Sequence, residues 1–168
     1  MQGYYCATCG EYHERVPLSF AADAPYSYED IPEAERESRT VVTPDQCIID
    51  DRWFFVRGVL EVPILGTEDV FTWGVWVSLS KTNFERISEL WEIEGRENEP
   101  PYFGWLNTSL PTYPDTLNLK TNVHTRALGM RPLVEVQRTD HPLARDQHEG
   151  ITLERARAIA DTILHGSS

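Results

Sequence analysis

Two cysteines stand two residues apart in Cys6-Ala7-Thr8-Cys9-Gly10, and His13 follows four residues after the second. Thiolates at this spacing can bend round one tetrahedral Zn²⁺, and a glycine after the second cysteine helps the turn. The third cysteine, Cys47, opens a long apolar run in a distant part of the chain and completes a Cys₃His set with Cys6, Cys9 and His13. A closed set of four protein ligands keeps no position for a reactive water, so the zinc this pattern predicts is structural and pins the N-terminal segment to the sheet. An odd number of cysteines argues against a disulfide framework, and no βαβ pattern surrounds the pair as it would in a dithiol oxidoreductase. A nucleoside-deaminase centre needs H-x-E upstream of P-C-x-x-C, whereas His13 lies downstream here and no proline precedes Cys6.

The remaining chemistry is sparse. His124, His141 and His148 are the histidines outside the metal set and the C-terminal tail, and none has an evident nucleophile beside it. Asp140-His141-Pro142 reads as a turn whose aspartate bonds its own backbone. There is no G-x-S-x-G elbow, phosphate loop, dinucleotide fingerprint or H-E-x-x-H. Trp53, Trp76, Trp105, Tyr102, Phe103 and Tyr113 cluster near proline-rich loops and suit either an interface or a satellite core; core is the reading taken.

These residues depend on the elements that carry them. Residues 14–46, with prolines at 17, 25, 32 and 44, read as an irregular wrap containing a helix of two turns at most in PEAERESR. From Cys47, two long strand-like runs joined by LGTED predict a β-hairpin. Period two puts Phe54, Val56, Gly58, Leu60, Val62 and Ile64 on one face of the first run, and Phe71, Trp73, Val75, Val77 and Leu79 on one face of the second. The opposite face, with Trp53, Phe55, Arg57, Val59 and Glu61 beside Thr72, Gly74, Trp76 and Ser78, is mixed, and a cover by the N-terminal wrap explains it.

Thr82 and Glu85 have capping-box spacing ahead of a helix with Phe84, Ile87, Leu90 and Trp91 on one stripe. Leu117, Leu119, Thr121 and Val123 alternate with polar residues as an antiparallel strand, another strand is expected at 133–137, and a helix fills 150–166. The expected class is α+β: an antiparallel sheet with packed helices and an N-terminal zinc-knuckle-like segment, in a single domain over 1–168 divided into a wrap at 1–46 and a core at 47–168.

The charge balance, 15 Lys and Arg against 27 Asp and Glu for a net −12, disfavours nucleic acid and anionic membrane as partners. No apolar run approaches the roughly 18 residues of a membrane span, and Met1 leads directly into polar and aromatic residues, so a cytoplasmic protein is expected.

C-x-x-C-G-x-x-H, D-x-C-I-I-D, FFVRGVLEVPI, FTWGVWVSLS, YFGWL, LPTYPDTLNLKT, RPLVEV and DHPLARDQHEGIT together resemble the uncharacterised bacterial family called domain of unknown function 2199, over nearly the whole chain. The resemblance implies a small bacterial protein with no assigned activity and brings no catalytic residues. The expectation is therefore a zinc-stabilised domain acting through protein–protein binding, as an accessory or immunity-type partner, with its acidic surface steering the encounter. Two other readings stay open: a hydrolase using Arg57, Glu61 and Trp76 with His124 or His141, and a thiol or zinc sensor with exposed, low-pKa cysteines.

Overall fold

A computed structural model describes residues 18–165 in full, together with the backbone of 4–5 and 12–13. β1 (Tyr4–Tyr5) and β2 (Tyr12–His13) pair antiparallel, with Tyr4 opposite His13. The wrap is more regular than its prolines suggest. It contains β3 (Ser19–Ala21), α1 (Tyr26–Glu29), α2 (Glu33–Arg39) and β4 (Thr40–Val42). Pro25 and Pro32 occupy the N-cap positions of the two helices, where fixed φ and a missing N–H disturb no helical hydrogen bond. The seven residues of α2 match the predicted two turns.

The apolar run from Cys47 is two strands and not one. β5 (Gln46–Ile49) turns through Asp50 and Asp51, both near φ +54°, into β6 (Trp53–Pro63). Aspartate tolerates this left-handed conformation, so the pair makes a tight turn without glycine. β6 then pairs with β7 (Val70–Leu79) over ten positions, as the hairpin reading required. α3 (Lys81–Glu89) follows. Its cap is Ser80, whose hydroxyl accepts the Asn83 N–H at 3.1 Å, and not Thr82: β7 runs to Leu79, so the helix starts at once. β8 (Tyr102–Leu106), β9 (Lys120–His124), β10 (Leu133–Val136), α4 (Pro142–Glu149) and α5 (Leu153–His165) complete the described strands and α-helices.

The class is α+β, but the sheet is not an open antiparallel one. β6, β7, β8, β9 and β10 pair in sequence order and β10 returns to β6, closing a five-stranded barrel. Strands that alternate in direction leave the first and fifth pointing the same way, so the closing pair is parallel, with Leu133 opposite Val59. Gly58 permits this approach, since a Cβ there would lie 2.6 Å from Val134 Cγ2 and 2.9 Å from the Pro132 carbonyl. Beyond that single pair the staves part. Gln147 of α4 takes the neighbour's place, donating to Val134 O at 2.9 Å and accepting from Val136 N at 2.7 Å. The long strands are shared: β6 pairs with β5 in its first half, and β7 pairs parallel with β3 at Thr72 to Gly74 and antiparallel with β8 at Val77 and Ser78.

Ten of the eleven residues assigned inward by period two on β6 and β7 belong to the buried apolar cluster inside the barrel, Gly58 being the exception for lack of a side chain. α3 adds Phe84 and Ile87, and α5 adds Ala156 and Ile159. A second, smaller cluster lies outside the barrel, where Ile31, Cys47, Ile49, Phe55 and Trp76 pack with Ala22 and Tyr28. The wrap therefore covers Phe55 and Trp76 on the outer face, as expected, and leaves Trp53 exposed. No described helix is long and apolar enough to cross a membrane.

A buried arginine ties two loops together. The Arg96 guanidinium donates to the carbonyls of Trp91, Arg126, Ala127 and Met130 at 2.8, 2.8, 3.1 and 3.0 Å. An Arg96→Met variant strands these acceptors and is expected to lose about 3 kcal/mol in urea unfolding. A loss under about 1 kcal/mol would mean that water replaces the guanidinium at no great cost.

Candidate binding cleft

YFGWL alternates across the wall of the barrel. Tyr102, Gly104 and Leu106 face inward, while Phe103 and Trp105 face out and are 40% and 42% exposed. Trp53, at the start of β6, is 49% exposed on the same outer side. Pairing registers put Cys47, Phe55, Ser78, Trp105 and Lys120 in one row across five strands. One end of that row, Cys47, is buried beneath the wrap. The other end lies open.

Between the two ends is a cleft of about 570 Å³. Ile31, Ile49 and Phe55 supply its apolar lining, and Trp53 and Trp105 stand at its borders. The backbones of these two tryptophans are two strands and two residues apart, or about 12 Å from strand spacing and rise. Polar groups come from the wrap and from loops: Ser27 and Asp30 from α1 and its end, Arg39 from α2, Asp50 from the β5–β6 turn, and Asn107 and Asn118 from the segment between β8 and β9. Asn107 Oδ1 accepts the Ser27 N–H at 2.9 Å, fastening α1 to the barrel wall.

Arg39 Nε and Nη2 grip the two Asp50 oxygens at 2.9 Å each. This fork holds the Asp50 carboxyl below its usual range, against a smaller opposing effect of desolvation. The Asp30 carboxylate has no hydrogen-bond or ion-pair partner among the described residues. Arg52 stacks its guanidinium 5.1 Å from the Trp53 ring, and Phe103 meets Trp105 edge-on at 5.0 Å.

The sequence-derived candidates are scattered. Cys6 and Cys9 lie outside the described residues, and of His13 only the backbone pairing with Tyr4 is described. Cys47 is fully buried, and burial pushes its thiol up to about 11. A thiol so placed is a poor nucleophile at neutral pH. Among the described residues no three His, Cys, Asp or Glu side chains group so as to hold a metal ion.

Arg57 rests 5.9 Å from the Trp76 ring and reaches the Pro44 carbonyl at 3.4 Å; neither it nor Glu61 lines the cleft. His124 bonds Glu135 at 3.1 Å, which holds the Glu135 carboxyl below its usual range. His148 donates to Val136 O. His141 does not sit in a simple turn but caps α4: its Nδ1 accepts the Leu143 N–H at 3.0 Å, and its Nε2–H donates to Asp115 O at 2.9 Å. The three histidines thus sit on three different structural partners.

The aromatics divide where a single assignment to core was expected. Trp76 and Tyr102 are buried, whereas Trp53, Phe103 and Trp105 are not. Reading YFGWL by period two gives this division, because Phe103 and Trp105 fall opposite Tyr102 and Leu106. The wrap's share of the cleft has no such signal, since Asp30 and Arg39 reach it only through the packing of α1 and α2.

No curated protein and no solved structure matches the chain. A family model described as an uncharacterised protein conserved in bacteria matches residues 5–151, which span the C-x-x-C segment, the barrel, the cleft and α4. The chain belongs to this bacterial family, DUF2199, as its motifs suggested.

Proposed function

We propose that the chain is a protein-binding module acting as an accessory or immunity-type partner, whose cleft, bordered by Trp53 and Trp105, receives a segment of another protein, and whose N-terminal segment is held by a structural zinc on Cys6, Cys9, His13 and Cys47. The observation that carries the binding reading is the outward exposure of Trp53, Phe103 and Trp105 beside one cleft. Exposed tryptophans around a concavity are the residue type that dominates interface energetics when a partner desolvates them. Two features support the zinc reading. The strands on either side of residues 6–11, which carry both cysteines, are paired with Tyr5 opposite Tyr12. Cys47 faces outward from the barrel, on the side that the wrap covers.

The test places a photoreactive phenylalanine analogue at position 105, at position 53, and at Leu128, an exposed residue outside the cleft. In extracts of a bacterium that encodes the chain, positions 105 and 53 are expected to trap the same protein while 128 traps none of it. Equal trapping at 128, or none anywhere, would sink the binding reading. Trp105→Ala should abolish trapping from position 53 while moving the unfolding free energy by less than about 1 kcal/mol, because the indole is already half solvated.

A further inference from the structure

We infer that the cleft recognises an arginine-bearing basic segment of its protein partner, with the guanidinium stacked on Trp105 and bonded to the Asp30 carboxylate. This rests on the reading of the cleft as a protein-binding site.

The wrap and the outer wall already stack this chain's own guanidiniums on their rings. Arg36 lies 4.9 Å from the Tyr28 ring, Arg52 lies 5.1 Å from Trp53 and Arg57 lies 5.9 Å from Trp76. Trp105 matches Trp53 in exposure and outward setting, and among the described residues no cation is stacked on it. An indole face is the best side-chain partner for a guanidinium, and the pair gains as the partner excludes water.

Charge on the cleft's wrap side points the same way. Residues 26–39 carry five acidic side chains (Glu29, Asp30, Glu33, Glu35, Glu37) against Arg36 and Arg39. Arg36 is turned onto the carbonyls of Ile31 and Glu29, and Arg39 is spent on Asp50 and Glu35. Asp30 is then the lining carboxylate left to accept a donor from outside. The one cation in the Trp105 row, Lys120, is on β9, on the side of Trp105 away from the cleft. The chain's net −12 steers a basic segment toward this wall, and the aromatic and carboxylate pair selects arginine from other cations.

The probes are three acetylated, amidated peptides in which glycine alternates with arginine, lysine or glutamine. Binding is followed through the indole N–H resonances of ¹⁵N-labelled protein at about 150 mM salt, where the Debye length is near 8 Å and long-range attraction is screened. The arginine peptide is expected to shift Trp105 most and to bind about tenfold tighter than the glutamine peptide, with lysine between. Trp105→Ala and Asp30→Asn should each weaken it about five- to tenfold, whereas Glu92→Gln, which removes one negative charge outside the cleft, should change it less than twofold.

An equal loss from Glu92→Gln would reduce the effect to attraction by net charge and overturn the inference. So would tighter binding of the glutamine peptide, or of cellotetraose as a neutral sugar probe. The two readings fail separately. A partner segment trapped at position 105 that lacks arginine overturns this inference and leaves protein binding standing; no trapped partner overturns both.

Discussion

Replacing Trp76 by alanine is expected to cost about 3–5 kcal/mol, and the loss should fall on the wrap and spare the barrel. The ring is fully buried, yet outside the barrel, in the cluster it forms with Ile31, Cys47, Ile49 and Phe55. Its Nε1–H also donates to Ala22 O at 3.0 Å, so the same side chain anchors the chain entering α1. Its backbone belongs to the barrel: Trp76 O accepts the Asn107 N–H, and Trp76 N donates to Thr108 Oγ1. Truncation removes the apolar bridge but leaves those bonds, so amides of β4 and β5 should exchange with solvent far faster while those of β7 stay protected. Trp76→Phe keeps most of the buried area, forfeits the bond to Ala22, and should cost about 1–2 kcal/mol. Leu60→Ala, inside the barrel, is the contrast: a similar loss spread over every strand. If Trp76→Ala also accelerates exchange throughout β7, the two clusters melt as one unit and the layered account is wrong. The variant bears on binding too, since Ser27, Asp30 and Arg39 reach the cleft only while the wrap is docked.

The features that sequence made legible are those set by local periodicity against one core. Alternation along β6 and β7 separated the barrel interior from its outer wall because each strand has one fully buried face. What escaped were features decided by a single turn or by distant pairing. Cys47 to Val62 reads as one apolar run, and only Asp50 and Asp51 in left-handed backbone break it into two strands. Asp140-His141-Pro142 carries turn chemistry, but its proline is the first residue of α4 and its histidine is the cap, with Leu143 and Ala144 buried within the first turn. Leu117 and Leu119 continue the alternation of Thr121 and Val123, yet Asn118 at φ +66° keeps that stretch out of β9. Barrel closure has no local signature, since it depends on Gly58 admitting a strand some seventy residues away. The cleft escaped for a related reason: it forms where a wrap of short helices meets the outer wall, so its residues share no periodic pattern.

Cys47→Ser is expected to release the proposed zinc, loosen the N-terminal segment and leave the barrel folded. Structural zinc sites in small domains contribute on the order of 10 kcal/mol, and removal of one of four ligands forfeits most of that. Tag-free protein should hold about one zinc per chain by mass spectrometry, with the Cys6 and Cys9 thiols shielded from alkylation until a chelator is added. Retention of one zinc by Cys47→Ser would place the fourth ligand elsewhere. The pH response separates the zinc-bound from the metal-free state by its sign. In metal-free protein Cys47 is a buried thiol whose proton is held up to about 11, against 9.0 for the ordinary group. Stability from this group is then fully present below pH 9 and falls by about 1.4 kcal/mol per unit as pH rises toward 11, because the unfolded chain ionises first. With zinc bound, the thiolate is the folded form and protons compete with the metal, so stability is lost on acidification and holds through the alkaline window. Denaturant midpoints measured at pH 6, 8 and 9.5, below the range in which the raised Tyr102 and Tyr113 hydroxyls begin to cost stability, distinguish these slopes, and an alkaline loss up to pH 9.5 that persists after zinc is added would remove Cys47 from the ligand set.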